Sequence, residues 1–157
     1  MEINLDEKIR IEKLKFISNI QNKDIDEKKL YHFYSVLNLS NSIIKYNDDS
    51  SNSSKKLIID YFKKINDLKG YSIDKEQSIA LFKEYLLPVG HLLIKKTGFI
   101  TKASIFINIT LGVILDILIF GIIFKQFYVV FTFIFIFFGI LKRKKKIKEN
   151  KFFSINW

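Results

Sequence analysis

The stretch LGVILDILIFG, Leu111 to Gly121, decides the fold. Ten of its eleven residues are apolar or glycine, and the eleventh, Asp116, is a carboxylate set among them. It lies inside a longer block, Ser104 to Leu141, whose only charged residues are Asp116 and Lys125. Ser104–Phe124 is 21 residues, which at about 1.5 Å rise per residue matches the roughly 30 Å of bilayer hydrocarbon. Phe127–Leu141 is shorter, at 15 residues, and flanking lysines can extend it by snorkelling. One helix over the whole block would be about 57 Å long, too long for a single crossing. Lys125 and Gln126 therefore mark a turn, and the sequence predicts a two-span transmembrane helical hairpin over residues 97–141, with spans at about 104–124 and 127–141.

Within the first span, Ser104, Asn108, Gly112 and Asp116 recur every four residues and share one helix face. Small and polar side chains on one stripe turn toward protein or water, because lipid offers them no hydrogen bonds. Thr132 and Gly139 share a face of the second span; counted from the turn, Gly139 falls at a depth similar to Gly112 and Thr132 within about a turn of Asp116. Two roles fit the stripe. In one it is packing glue, with a protonated Asp116 bonded to Thr132 or Asn108. In the other, Asp116 lines an ion path in an oligomer or docks a charged partner helix.

The net charge of +10 is unevenly spread. Residues 1–94 carry 15 Lys and Arg against 14 Asp and Glu. The excess brackets the apolar block: Lys95, Lys96 and Lys102 before it, and Lys142, Arg143, Lys144, Lys145, Lys146, Lys148 and Lys151 after it. That placement predicts contact with anionic lipid headgroups, with no nucleic-acid partner. By the positive-inside rule both ends of the hairpin face the cytoplasm of an inner-membrane protein. Residues 142–157 read as a polybasic, aromatic cytoplasmic tail, with Phe152, Phe153, Ile155 and Trp157 as an interfacial anchor.

Residues 1–96 read as a cytoplasmic bundle of about four helices, so the fold class is all-α. Leu5, Ile9, Phe16 and Ile20 share a face of the first. The second runs from an Asp24–Glu27 capping box to about Tyr46, with Leu30, Phe33, Tyr34, Leu37 and Ile44 on one face and Val36, Leu39 and Ile43 on another. Tyr46–Ser54 reads as a polar loop. The third helix, about 55–68, repeats Ile58, Tyr61, Phe62 and Ile65 at helical spacing and stops at Gly70. The fourth starts at Asp74, paired with Gln77, and Pro88 should kink it near Leu87. The following VGHLLIKKTGFI reads as an approach to the membrane.

Catalytic signals are absent. There is no cysteine, no glycine-rich phosphate loop and no HExxH or GxSxG. His32 and His91 are far apart in sequence, and the acids of Asn47–Asp49 lack calcium-loop spacing. No enzyme, metal or cofactor is expected. The reading is a non-enzymatic integral membrane protein, an accessory or immunity-type subunit that binds a protein partner or its own copies. The alternative is a small oligomeric ion channel or membrane-disrupting effector with Asp116 lining the interior.

Overall fold

The computed structural model describes residues 4–68, 72–126 and 128–155, without the side chain of Ile105. It is mostly helical and divides into two compact units. One comprises residues up to Phe99 together with the segment from Phe153. The other is Ile100–Phe152.

In the helical unit, α1 (Leu5–Ile20) starts at Asn4, whose side chain accepts from the Asp6 amide. Helix α2 (Ile25–Leu30) is capped by Asp24, which accepts from the Glu27 amide at 2.7 Å. Glu27 does not complete the expected box, because its carboxylate pairs with Lys23 at 2.9 Å. The single helix expected from Asp24 to Tyr46 is broken at His32, which is left-handed at φ 46°. Burial accounts for the break. The Tyr31 carbonyl accepts from the buried Tyr61 hydroxyl at 2.6 Å, and His32 Nε2 meets the Ser78 carbonyl at 2.8 Å. Helix α3 (Phe33–Ile43) then buries Val36, Leu39 and Ile43 completely, while Tyr34 on the other expected face is exposed.

Helix α4 (Asp49–Asp67) starts six residues earlier than expected, replacing most of the polar loop. Asp48 accepts from the Ser51 amide and hydroxyl, so an acidic cap converts the serine run into a first helical turn. One turn on, Lys55 is buried and pairs with Asp6 at 2.7 Å and Asn47 at 2.8 Å. The α4 face Ile58, Tyr61, Phe62 and Ile65 is buried as its spacing predicts, with Phe16 of α1 packed 5.2 Å from Phe62, centroid to centroid. The expected stop at Gly70 lies outside the described residues.

Asp74 and Gln77 form a full capping box on α5 (Lys75–Leu81). A π turn, Phe82–Leu86, carries α5 into α6 (Leu87–Thr97), where Pro88 sits in the first turn. Proline has no amide to donate and crowds the carbonyl four residues back. The wider turn relieves that crowding, and the Leu87 amide reaches back to Phe82. Helix α6 buries Val89, Gly90 and Leu93 in the core and ends at left-handed Gly98. The segment read as an approach to the membrane is therefore a core helix, and the unit boundary falls at Phe99 instead of residue 96.

The second unit is a helical hairpin. Ile100–Thr101 (β1) pairs with Phe152–Phe153 (β2), the Ile100 amide donating to the Lys151 carbonyl. Helix α7 (Ala103–Asp116) continues through a π turn, Ile117–Ile123. The chain reverses at Lys125, left-handed at φ 52°, and the Gln126 amide returns to the Phe120 carbonyl at 3.0 Å. Helix α8 (Val130–Lys148) runs back antiparallel to α7.

Phe106–Ile123, with mean hydropathy 2.5, is long and apolar enough to cross a membrane, and it is the one such helix among the described residues. Its side chains are largely exposed: Phe106, Ile107, Leu111, Ile122 and Ile123 all point outward. That is not the pattern of a core helix in a soluble domain. The return arm differs from expectation. It becomes helical only at Val130, and cations begin at Lys142, so its apolar helical run is Val130–Leu141, about 18 Å.

Candidate functional site

Along the α7–α8 contact the buried residues are Gly112, Asp116, Thr132 and Gly139. Gly112 permits the close approach: a Cβ there would lie 2.6 Å from the Thr132 Cα. A Cβ on Gly139 would lie 3.2 Å from the Asn108 amide nitrogen. Ser104 is placed apart from this cluster, its hydroxyl accepting from the Thr101 amide at the start of α7.

Asp116 answers a need of α8. The first amides of any helix lack intrahelical acceptors. Here the position before the helix is Val129, whose side chain can supply none. Asp116 supplies it from the facing helix. One carboxylate oxygen accepts from the Val130 amide at 3.1 Å and the Phe131 amide at 2.7 Å. The other accepts from the Thr132 amide at 2.8 Å and the Thr132 hydroxyl at 2.6 Å. Three of these contacts are backbone amides donating to the carboxyl group, and the helix dipole presents its positive end to it.

The partner that Asp116 finds is thus the start of the neighbouring helix, which its carboxyl group caps. Sequence reasoning sought a cation, water, ion or partner for it, and overlooked a helix N-terminus as the counter-charge. The missed signal is a second span that begins Val129–Val130–Phe131 with no capping residue of its own. Asp116 is 1% exposed, and all four of its contacts lie inside the hairpin.

The basic residues divide in two. Lys142, Lys144, Lys145 and Lys148 are exposed on the last turns of α8. Arg143 lies 5.3 Å over the Phe152 ring, and Lys146 pairs with Glu149 at 2.9 Å. Lys96 is held by Asp48 and lies over the Tyr46 ring. Trp157 lies outside the described residues.

Phe153 corrects the interfacial anchor. It is fully buried in the helical unit, against Phe82 at 6.2 Å and Phe99 at 6.3 Å. Its ring occupies the space above Gly90, where any Cβ would come within 2.1 Å of it. Ser35 and Ser154 bond reciprocally: the Ser35 hydroxyl donates to the Ser154 carbonyl at 2.9 Å and accepts from the Ser154 amide at 3.1 Å. Phe152 is buried as well. An aromatic ring in a preformed seat gains more than one at a wet interface, and the polybasic context hid that option.

His32 is buried, and burial holds its pKa below the usual histidine range despite the polar contact with Ser78. His91 is exposed. Among the described residues no group of three His, Cys, Asp or Glu side chains is placed to hold a metal. No known protein family, curated protein or solved structure matches the chain.

Proposed function

We propose that the protein is a non-enzymatic, membrane-anchored subunit whose helical unit binds a protein partner, held by a hairpin that enters and leaves the membrane on one face. The carrying observation is the division of the chain. Residues up to Phe99 and the segment Phe153–Ile155 share one core, while the intervening residues include an outward-facing apolar span. A chain that crosses once in between would put those two pieces on opposite sides of the bilayer. Return through α8 keeps them together, and snorkelling from Lys142 and Arg143 compensates for its short apolar run. The exposed lysines of α8 and Lys102 at the start of α7 belong to the same end of the hairpin, which favours a cytoplasmic, anionic surface there.

The capped Asp116 supports an anchor over a pore, since its hydrogen bonds are spent on joining the two helices. The chain has no cysteine, so topology is directly testable. Single cysteines at Asp26, Lys125 and Lys148 would be probed with a membrane-impermeant maleimide on intact and inverted vesicles. The proposal expects Asp26→Cys and Lys148→Cys to label from one side and Lys125→Cys from the other. Labelling of Lys148→Cys together with Lys125→Cys would mean a single crossing and overturn it. Partner binding would be read by extracting the full chain in mild detergent and identifying what accompanies it at fixed stoichiometry.

A further inference from the structure

The seat of Phe153 is built wholly from residues earlier in the chain: Ser35 on α3, Phe82 in the π turn, Gly90 on α6, and Phe99. What fills it is a short extended segment that begins in strand β2 and is held by its pairing with β1, one buried ring, a reciprocal pair of backbone-to-serine hydrogen bonds and the half-buried Ile155. This is a receptor and a linear ligand joined in one chain. The seat recognises an aromatic side chain followed by a backbone amide and carbonyl that the Ser35 hydroxyl bonds. Gly90 gives it depth, and the Ser35 hydroxyl, acting as both donor and acceptor, reads the backbone.

We infer that Phe153–Ile155 is an exchangeable segment, and that the seat takes the same segment from a second copy of the chain. Two features carry this. The sequence that fits the seat is the chain's own, so a second copy brings a matching ligand with every contact preserved. Exchange of an identical element loses nothing at the seat, and its balance is set by the connecting turn and by the concentration of copies. That turn is a compact reversal, with Asn150 left-handed at φ 55° and the Lys151 amide bonded to the Lys146 carbonyl. Asparagine adopts the left-handed region readily, so the turn is a local device of a few residues that can open without disturbing the seat. The seat lies within the helical unit, so the inference stands whether or not the hairpin crosses a membrane, and the labelling experiment above tests that separately.

The test uses two full-length variants with different affinity tags in detergent micelles. Phe153→Ala keeps the seat and loses the ligand. Gly90→Leu keeps the ligand and fills the seat. Each alone should be monomeric, and the mixture should co-purify one to one. Adding Phe153→Ala to the Gly90→Leu chain should abolish the pairing. Absence of pairing, pairing that survives the double variant, or self-association of either single variant overturns the proposal. If a variant does not fold, amide exchange in the unaltered chain decides. The Ser154 amide should exchange roughly tenfold or more faster than the amides of α4 around Tyr61, by local release of the segment. Equal rates would mean that the segment leaves only when the whole unit unfolds, and would overturn the proposal as well.

Discussion

Replacing Phe153 by alanine separates two pictures of the segment that follows the hairpin. As an interfacial anchor, the ring would contribute to vesicle binding and nothing to folding. As a core residue it is fully buried between Phe82, Phe99 and the bare backbone of Gly90. Truncating a buried phenylalanine to alanine costs about 3–5 kcal/mol, the lost transfer energy plus the cavity left behind. Collapse of the site is limited here, because two of its walls are rings anchored elsewhere in the core. For a domain of this size each kcal/mol lowers the melting temperature by about 4–8 °C, so a fall of about 12 °C or more is expected. The assay is thermal unfolding of the full chain in detergent, followed through amide exchange in α4 so that the helical unit alone is read. Leu14→Ala, at a side chain 66% exposed, is the control and should shift stability by no more than about 0.5 kcal/mol. A Phe153→Ala melt within about 2 °C of the unaltered chain, with weakened vesicle binding, would refute the reasoning.

Other outcomes follow from the same geometry. Asp116→Leu should ease insertion of the first span while stripping the first turn of α8 of its acceptors, so the Val130–Thr132 amides should exchange roughly tenfold or more faster; unchanged protection would show that α8 needs no cap in trans. Asp116→Asn, which turns a donor toward donors, should show the same loss in part. Gly112→Val should separate the hairpin helices, because the Cβ would meet the Thr132 backbone, whereas Gly121→Ala, with nothing within 4 Å, should be tolerated; a cross-link between α7 and α8 unaffected by Gly112→Val would count against the close approach. His32 favours the neutral form in the fold, so the unfolded chain binds the proton more tightly. Stability of the helical unit should be full above the unfolded histidine value of about 6.5 and fall as pH drops below it toward the lower folded value. Denaturation of His32→Gln should lose that dependence, and a slope that persists would place the titration elsewhere.

Helical periodicity carried much of the fold. Ile58, Tyr61, Phe62 and Ile65 are spaced for a single buried face and occupy one, and Asp74 with Gln77 is a local signal that forms the local structure it implies. Spacing by four also set Gly112 and Asp116 on one face, where both are buried. What failed to show in the sequence is whatever depends on partners distant along the chain. The break at His32 answers to Tyr61 and Ser78, some 30 and 46 residues away. The start of α8 answers to a carboxylate 14 residues back on another helix. Phe153 pairs with residues on the far side of the hairpin, and its neighbouring lysines suggested a membrane surface instead. Local pattern gives an element and its face; the satisfaction of a lone carboxylate or a lone ring is settled by packing.

The split core also has a consequence in time. Synthesis runs from the first residue onward, so the residues that build the seat of Phe153 leave the ribosome before the hairpin is made. At about 5–20 residues per second, the hairpin and its return delay Phe153 by roughly 3–10 s. During that interval the helical unit has its helices but an open seat lined by Phe82 and Phe99. A unit begun before the hairpin is thus completed only after it, and for those seconds each nascent copy displays to its neighbours on the same message a seat that their own chains can fill.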